Sequence, residues 1–262
     1  GIKLFRFDRR NLDQSQELEK LIQLNKEAIN RLYPNDKPLL FIFHENSNSN
    51  VVKLLQTIIQ ILWGDTLEIQ LQRLPENTHG GKNALPGSNL KNKQRFQKRL
   101  KAWTPITKQI SKINRPKFSL ILASEFYPNP KDSKKPFHDD LVNKPATRQA
   151  LASIGRSCVQ FIVPPQTWQQ TGDMNISDFI FPAQSSIKEL IWAHSGRIDN
   201  VKEKVDKWFS DIEPEDRPKE IIDITVVRKN AGRSSGRLDR TFLPKAIRTN
   251  VETGLSEMCF CY

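Results

Sequence analysis

The chain has 262 residues, enough for one large domain or two small ones. Its formal charge is +12 and its sequence pI about 9.7, yet 37 % of its residues are apolar. That combination describes a folded, strongly basic protein whose natural partners are polyanions, nucleic acid before an anionic membrane surface. The longest apolar runs, 38–43 and 118–123, are too short to span a bilayer. No secretory leader is visible, and three cysteines, Cys158, Cys259 and Cys261, form no disulfide framework. A cytoplasmic location is therefore expected. The chain opens on Gly1 and stops at Cys-Phe-Cys-Tyr within a predicted strand, so it is expected to be a piece of a longer protein.

In chain order, residues 2–7 alternate weakly and predict a short strand. Residues 14–33 carry Leu18, Leu21, Ile22, Ala28, Ile29 and Leu32 at helical spacing, an amphipathic helix. LLFIF at 39–43 is a continuous apolar strand of the kind covered on both faces. A helix over 51–63, a strand over 67–71, a basic helix starting near residue 90, and strands over 118–123 and 159–163 follow. Strands alternating with helices predict parallel βαβ units, hence a Rossmann-like α/β sheet. Residues 176–194 predict a helix bent or restarted at Pro182, and 201–209 a short amphipathic one. Beyond the linker EPEDRPK, strands over 221–227, 242–250 and 255–262 predict the antiparallel start of another domain. The expected divisions are 1–37, a Rossmann-like unit over 38–212, and a β-rich part over 213–262.

Three groups of residues carry chemistry. From Asn77 to Ser124 there is no acid, and Lys91, Lys93, Arg95, Lys98, Arg99 and Lys101 fall on or beside one predicted helix. Such a face suits a phosphodiester backbone; a plain solvated face is the competing reading. Next is the stretch DDLVNKPATRQALASIGRSCVQFIVPP at 139–165. Asn143 is the expected N-cap, Pro145 sits in the first turn, and Gly155 is the expected left-handed residue at the helix end. Lys144 and Arg148 are four apart and share a helix face, and Gln160 lies in the following strand. Two cations and an amide near a helix N-terminus make a phosphate pocket. Third is the basic loop RKNAGRSSGRLDR at 228–240, where Arg233 and Arg237 suit a phosphate backbone, or simply an exposed turn. No glycine-rich nucleotide fingerprint, zinc spacing or recognisable Ser-His-Asp set is present.

The pattern D-x-x-x-K-x-x-x-R, then Gly, then Q-F, resembles the MID domain of Argonaute and Piwi proteins. The longer string DD-x-V-N-K-x-x-x-R-x-A-L-A…V-Q-F is most similar to the pPIWI-RE branch of prokaryotic Piwi proteins. In the family a helix and the strand after it hold the 5′ phosphate of a guide strand. The resemblance therefore implies 5′-phosphate binding by Lys144, Arg148 and Gln160, with Lys188 and His194 as candidates from the next helix; His194 also reads as a core histidine. ITVVRKNAGRSSGRLDRTFLPKAIRTNVETG resembles the opening strands of that branch's RNase H-like PIWI domain. That places Asp223 where such a fold carries a metal-binding catalytic aspartate. The implied partners are a guide RNA or DNA and a complementary target strand, with a helicase and a nuclease of the same defence system. No membrane and no small-molecule substrate are expected. No chemistry and no cofactor are expected of this piece; a Mg²⁺ at the guide 5′ phosphate is the one ion left open. Two other classes stay open: an active metal-dependent RNase H-like nuclease, and a Rossmann-type small-molecule enzyme.

Overall fold

The computed structural model describes residues 14–45, 49–75, 78, 92–124, 126–127, 137–138, 142–165, 177–198, 201–229 and 241–260. The chain divides into two compact units, residues 1–194 and 195–262. The expected strand over 2–7, Lys91, and the loop holding Arg233 and Arg237 lie outside the described residues, as does the side chain of Lys93.

In the first unit a four-stranded parallel sheet has the order β2-β1-β3-β6. The central strands are β1 (Leu39–His44, LLFIFH) and β3 (Lys117–Leu122, KFSLIL), whose unbroken apolar runs are buried on both faces. The edges are β2 (Glu68–Arg73), which alternates half-buried and exposed residues, and β6 (Cys158–Ile162). Strand alternation sorts side chains into two layers. Leu40, Ile42, Phe118, Leu120 and Ile162 pack against α1 (Gln14–Leu32), α2 (Ser49–Trp63) and α5 (Ser177–Ser195). Leu39, Phe41, Phe43 and Ile121 pack on the other face, against α3 (Asn92–Ser111) and the segment beginning with α4 (Asn143–Gln149). Each large side chain so buried contributes about 1.5–3 kcal/mol. Trp103 of α3 is fully buried, edge-on to Phe43 at 5.0 Å, and so belongs to this core. A two-residue hairpin, β4 (Phe126–Tyr127) with β5 (Phe137–His138), lies between β3 and α4.

Three local expectations change. Helix α5 runs unbroken through Pro182; the lost N–H bond is offset by burial of Phe179, Ile180 and Ala183 around it. Asn143 is not the N-cap: Val142 holds that place in a helical conformation, and Asn143 is the buried first residue of α4. Gly155 is not left-handed either. Helix α4 runs on into a single π turn, Ala150–Ile154, after which Gly155 keeps helical dihedrals and Arg156 takes the positive φ of 52°. Gly155 is needed for space: a Cβ there would stand 2.7 Å from the Leu151 carbonyl oxygen.

The second unit contains α6 (Val201–Trp208) and an antiparallel meander of β7 (Glu220–Lys229), β8 (Thr241–Asn250) and β9 (Ser256–Phe260). Val201 and Val205 of α6 share a small core with Val251, so α6 groups with the β-rich tail in the compact unit that begins at residue 195. Gly254, with φ of 68°, closes the β8–β9 turn; a Cβ there would lie 2.4 Å from the Ile198 carbonyl oxygen. No helix among the described residues is long and apolar enough to cross a membrane.

Candidate nucleic-acid interface

A parallel sheet presents ligands at the carboxyl ends of its strands, where the following helices begin. Helix α4 runs back against the strand direction, so its first residues lie at that end. Lys144, in its first turn, and Arg148, one turn on, are both exposed. They converge on Phe161, the penultimate residue of β6: the Lys144 Nζ lies 5.8 Å and the Arg148 guanidinium carbon 5.4 Å from its ring centroid. The structure thus joins the two predicted cations on one aromatic platform.

Gln160 does not join them. It pairs in register with Leu120, whose side chain faces the α1–α2–α5 layer, whereas Phe161 pairs with Ile121 on the α3–α4 side. The Gln160 Nε2 donates to the Glu189 carboxylate of α5, and its Oε1 accepts the Phe161 N–H at 3.3 Å. Lys188 stands next to that glutamate, half-buried on α5. Phe161 and Glu189 are the residues that sequence reasoning passed over. The signal was available: successive strand residues face opposite ways, so Gln160 and Phe161 could not both face α4.

His194 sits at the other end of the sheet, because α5 returns there. Its ring lies 5.2 Å from Phe118 and 5.7 Å from Tyr33, and its Nδ1 is 3.3 Å from the Tyr33 hydroxyl, which donates to the Ile191 carbonyl at 2.7 Å. Burial first, then the nearby Lys117 charge, pushes its pKa below the ordinary histidine value. The half-buried His194 ring is thus set apart from Lys144 and Arg148, at the opposite end of the sheet. Lys117 itself is buried at the start of β3, with its Nζ donating to the Ile113 carbonyl at 2.6 Å. Its pKa is lowered by burial and by Arg156.

On α3 the basic residues divide by face. Lys98 and Lys101 are exposed and Arg95 is half-buried, while Arg99 is only 4 % exposed. Arg99 is therefore withdrawn from the backbone-binding set: its neighbours hold it against the core. Helices α3 and α4 pack beside each other, so the exposed lysines and the Lys144–Arg148 pair lie on the same side of the sheet. In the second unit Asp223 is an exposed residue of β7, flanked across the sheet by Ile247 and Met258, and accepts a 2.8 Å bond from the Thr225 hydroxyl. No group of three His, Cys, Asp or Glu side chains fit to hold a metal occurs among the described residues.

Comparison with curated proteins and with solved structures gives no match. The family model for the MID domain of pPIWI_RE matches residues 42–203, more than half of the chain, from within β1 through α5 to the start of α6. With its four-stranded parallel sheet and flanking helices, the chain belongs to the pPIWI_RE family and carries that family's MID domain.

Proposed function

We propose that this MID domain anchors the 5′ phosphate of a guide strand at the carboxyl end of its sheet, with Lys144 and Arg148 as the phosphate ligands. The observation that carries the reading is the pair of exposed cations gathered over Phe161, at the sheet end where parallel α/β folds take ligands. Lys98 and Lys101, on the neighbouring helix, then follow the phosphodiester backbone without reading sequence. Gln160 acts from behind the strand rather than on the phosphate. A Mg²⁺ does not fit this face well: its described ligands are two cations, and the carboxylate of Glu189 faces the opposite layer. The wider role, pairing the guide with a target strand in cytoplasmic defence alongside a helicase and a nuclease, rests on family membership alone.

A terminal phosphate carries up to one more negative charge than an internal one. The 5′-phosphorylated oligonucleotide should therefore bind more tightly than its 5′-hydroxyl twin. Each charge-assisted contact contributes roughly 1.5–3 kcal/mol, so Arg148→Ala should weaken the phosphorylated form by about ten-fold or more and leave the hydroxyl form nearly unchanged. Equal affinity of the wild-type chain for the two ends would overturn the proposal.

A further inference from the structure

We infer that Phe161 is a positioning residue for the anion site, and that the contact from Glu189 through Gln160 holds it in place. The inference rests on the phosphate-anchor reading and adds to it a part that touches no phosphate. Lys and Arg side chains carry substantial rotamer entropy, part of which a phosphate must remove on binding. A cation held over a ring has lost part of that freedom beforehand. The contact uses the face of the ring and none of the cation's N–H donors, unlike an ion pair with a carboxylate. Lys144 and Arg148 are thus gathered over one ring.

The platform needs a fixed strand, and β6 is the outer strand of the sheet. An outer strand presents backbone N–H groups with no ladder partner. The Phe161 N–H is bonded instead by the Gln160 side-chain oxygen at 3.3 Å, and the amide nitrogen of that same side chain is tied to Glu189 of α5. Glu189 therefore orients the Gln160 amide with its oxygen toward the strand, and the amide steadies the backbone that carries the ring. This arrangement explains why a glutamine faces away from the cations yet bears on the same site.

The test compares the affinities of the chain for 5′-phosphorylated and 5′-hydroxyl single strands of one sequence, as a ratio. Phe161→Leu should lower that ratio about three- to five-fold, the scale of one or two exposed cation–π contacts. Phe161→Trp, whose ring attracts cations best, should keep or raise it. Glu189→Ala should lower it in the same direction as Phe161→Leu, although removing a carboxylate from a phosphate-binding domain would by simple electrostatics raise it. Thermal unfolding of each variant identifies any that fail to fold; should Phe161→Leu be among them, the tryptophan and Glu189→Ala variants carry the test. A wild-type ratio that persists in Phe161→Leu, drops in Phe161→Trp, or rises in Glu189→Ala overturns this inference and leaves the anchor standing. A wild-type ratio of one overturns both.

Discussion

The two ends of the parallel sheet both gather basic side chains, and to opposite effect. At the carboxyl end Lys144 and Arg148 are exposed over an aromatic ring. At the amino end Lys117 and His194 are withdrawn among Phe118, Tyr33 and the Ile113 carbonyl, and burial pushes both pKa values down. Basic side chains stand exposed in one place and are drawn toward the core in the other. What separates them is whether the charged form keeps its solvation, or a partner able to replace it. Chain direction sets which end is which: α4 starts at one and α5 finishes at the other.

That contrast can be broken most strongly at the carboxyl end. Replacing Lys144 and Arg148 together by alanine should cost about a hundred-fold in affinity for a 5′-phosphorylated strand, two charge-assisted contacts at roughly 1.5 kcal/mol or more each. Isothermal titration would show it, with 5′-hydroxyl binding nearly unaffected. A loss of only a few-fold would place the phosphate elsewhere.

A smaller effect sharpens the boundary between anchor and backbone surface. Lys98→Ala with Lys101→Ala should weaken both forms of the oligonucleotide alike. It should also flatten the slope of log affinity against log salt by about 1.4, from roughly 0.7 per single-strand contact. Arg99→Ala should instead register as lost stability, since that residue is buried. Should the two lysines leave the slope untouched while Arg99→Ala changes it, the division of α3 by face would be wrong.

The smallest effect tests the amino end. Because the folded pKa of His194 lies below its unfolded value near 6.5, the unfolded chain takes up the proton first as pH falls. Stability from this group is complete above that value and declines as pH drops toward the folded one. Melting temperature should therefore fall between neutral and mildly acidic pH, and His194→Phe, which keeps an aromatic ring against Phe118, should flatten that part of the curve. An identical fall in both proteins would mean that His194 is not the sensor. Oligonucleotide discrimination should be unchanged in the variant.

Much of this was legible in the residues. LLFIF and FSLILA are too short for a buried helix and too apolar for a surface one, and they became the two central strands. The spacing of Lys144 and Arg148 placed both on one helix face, as found. Other features needed tertiary context. Lys98 and Arg99 are adjacent and alike in type, yet about 100° apart around α3; only the packing of that helix decides which turns inward. Gly155 and Arg156 show a second limit. A glycine at a helix end suggests a left-handed residue, but here it relieves a close approach to Leu151, and the positive φ falls to its neighbour. Composition does not distinguish those two uses of glycine. The opposed directions of Gln160 and Phe161 followed from strand alternation, whereas the Glu189 that receives Gln160 lies 29 residues away and is fixed only by the return of α5.

The central claim is that two cations at the carboxyl end of the sheet receive a terminal phosphate. Its most direct measurement is a ³¹P NMR titration of a 5′-phosphorylated oligonucleotide, free and bound. A free terminal phosphate takes up its second proton near pH 6. Between Lys144 and Arg148 the dianion is favoured, so the bound resonance should titrate at lower pH, and Arg148→Ala should return it toward the free value. A terminal phosphate that titrates identically in the bound and free strand, with the internal phosphates alone perturbed, would contradict the account.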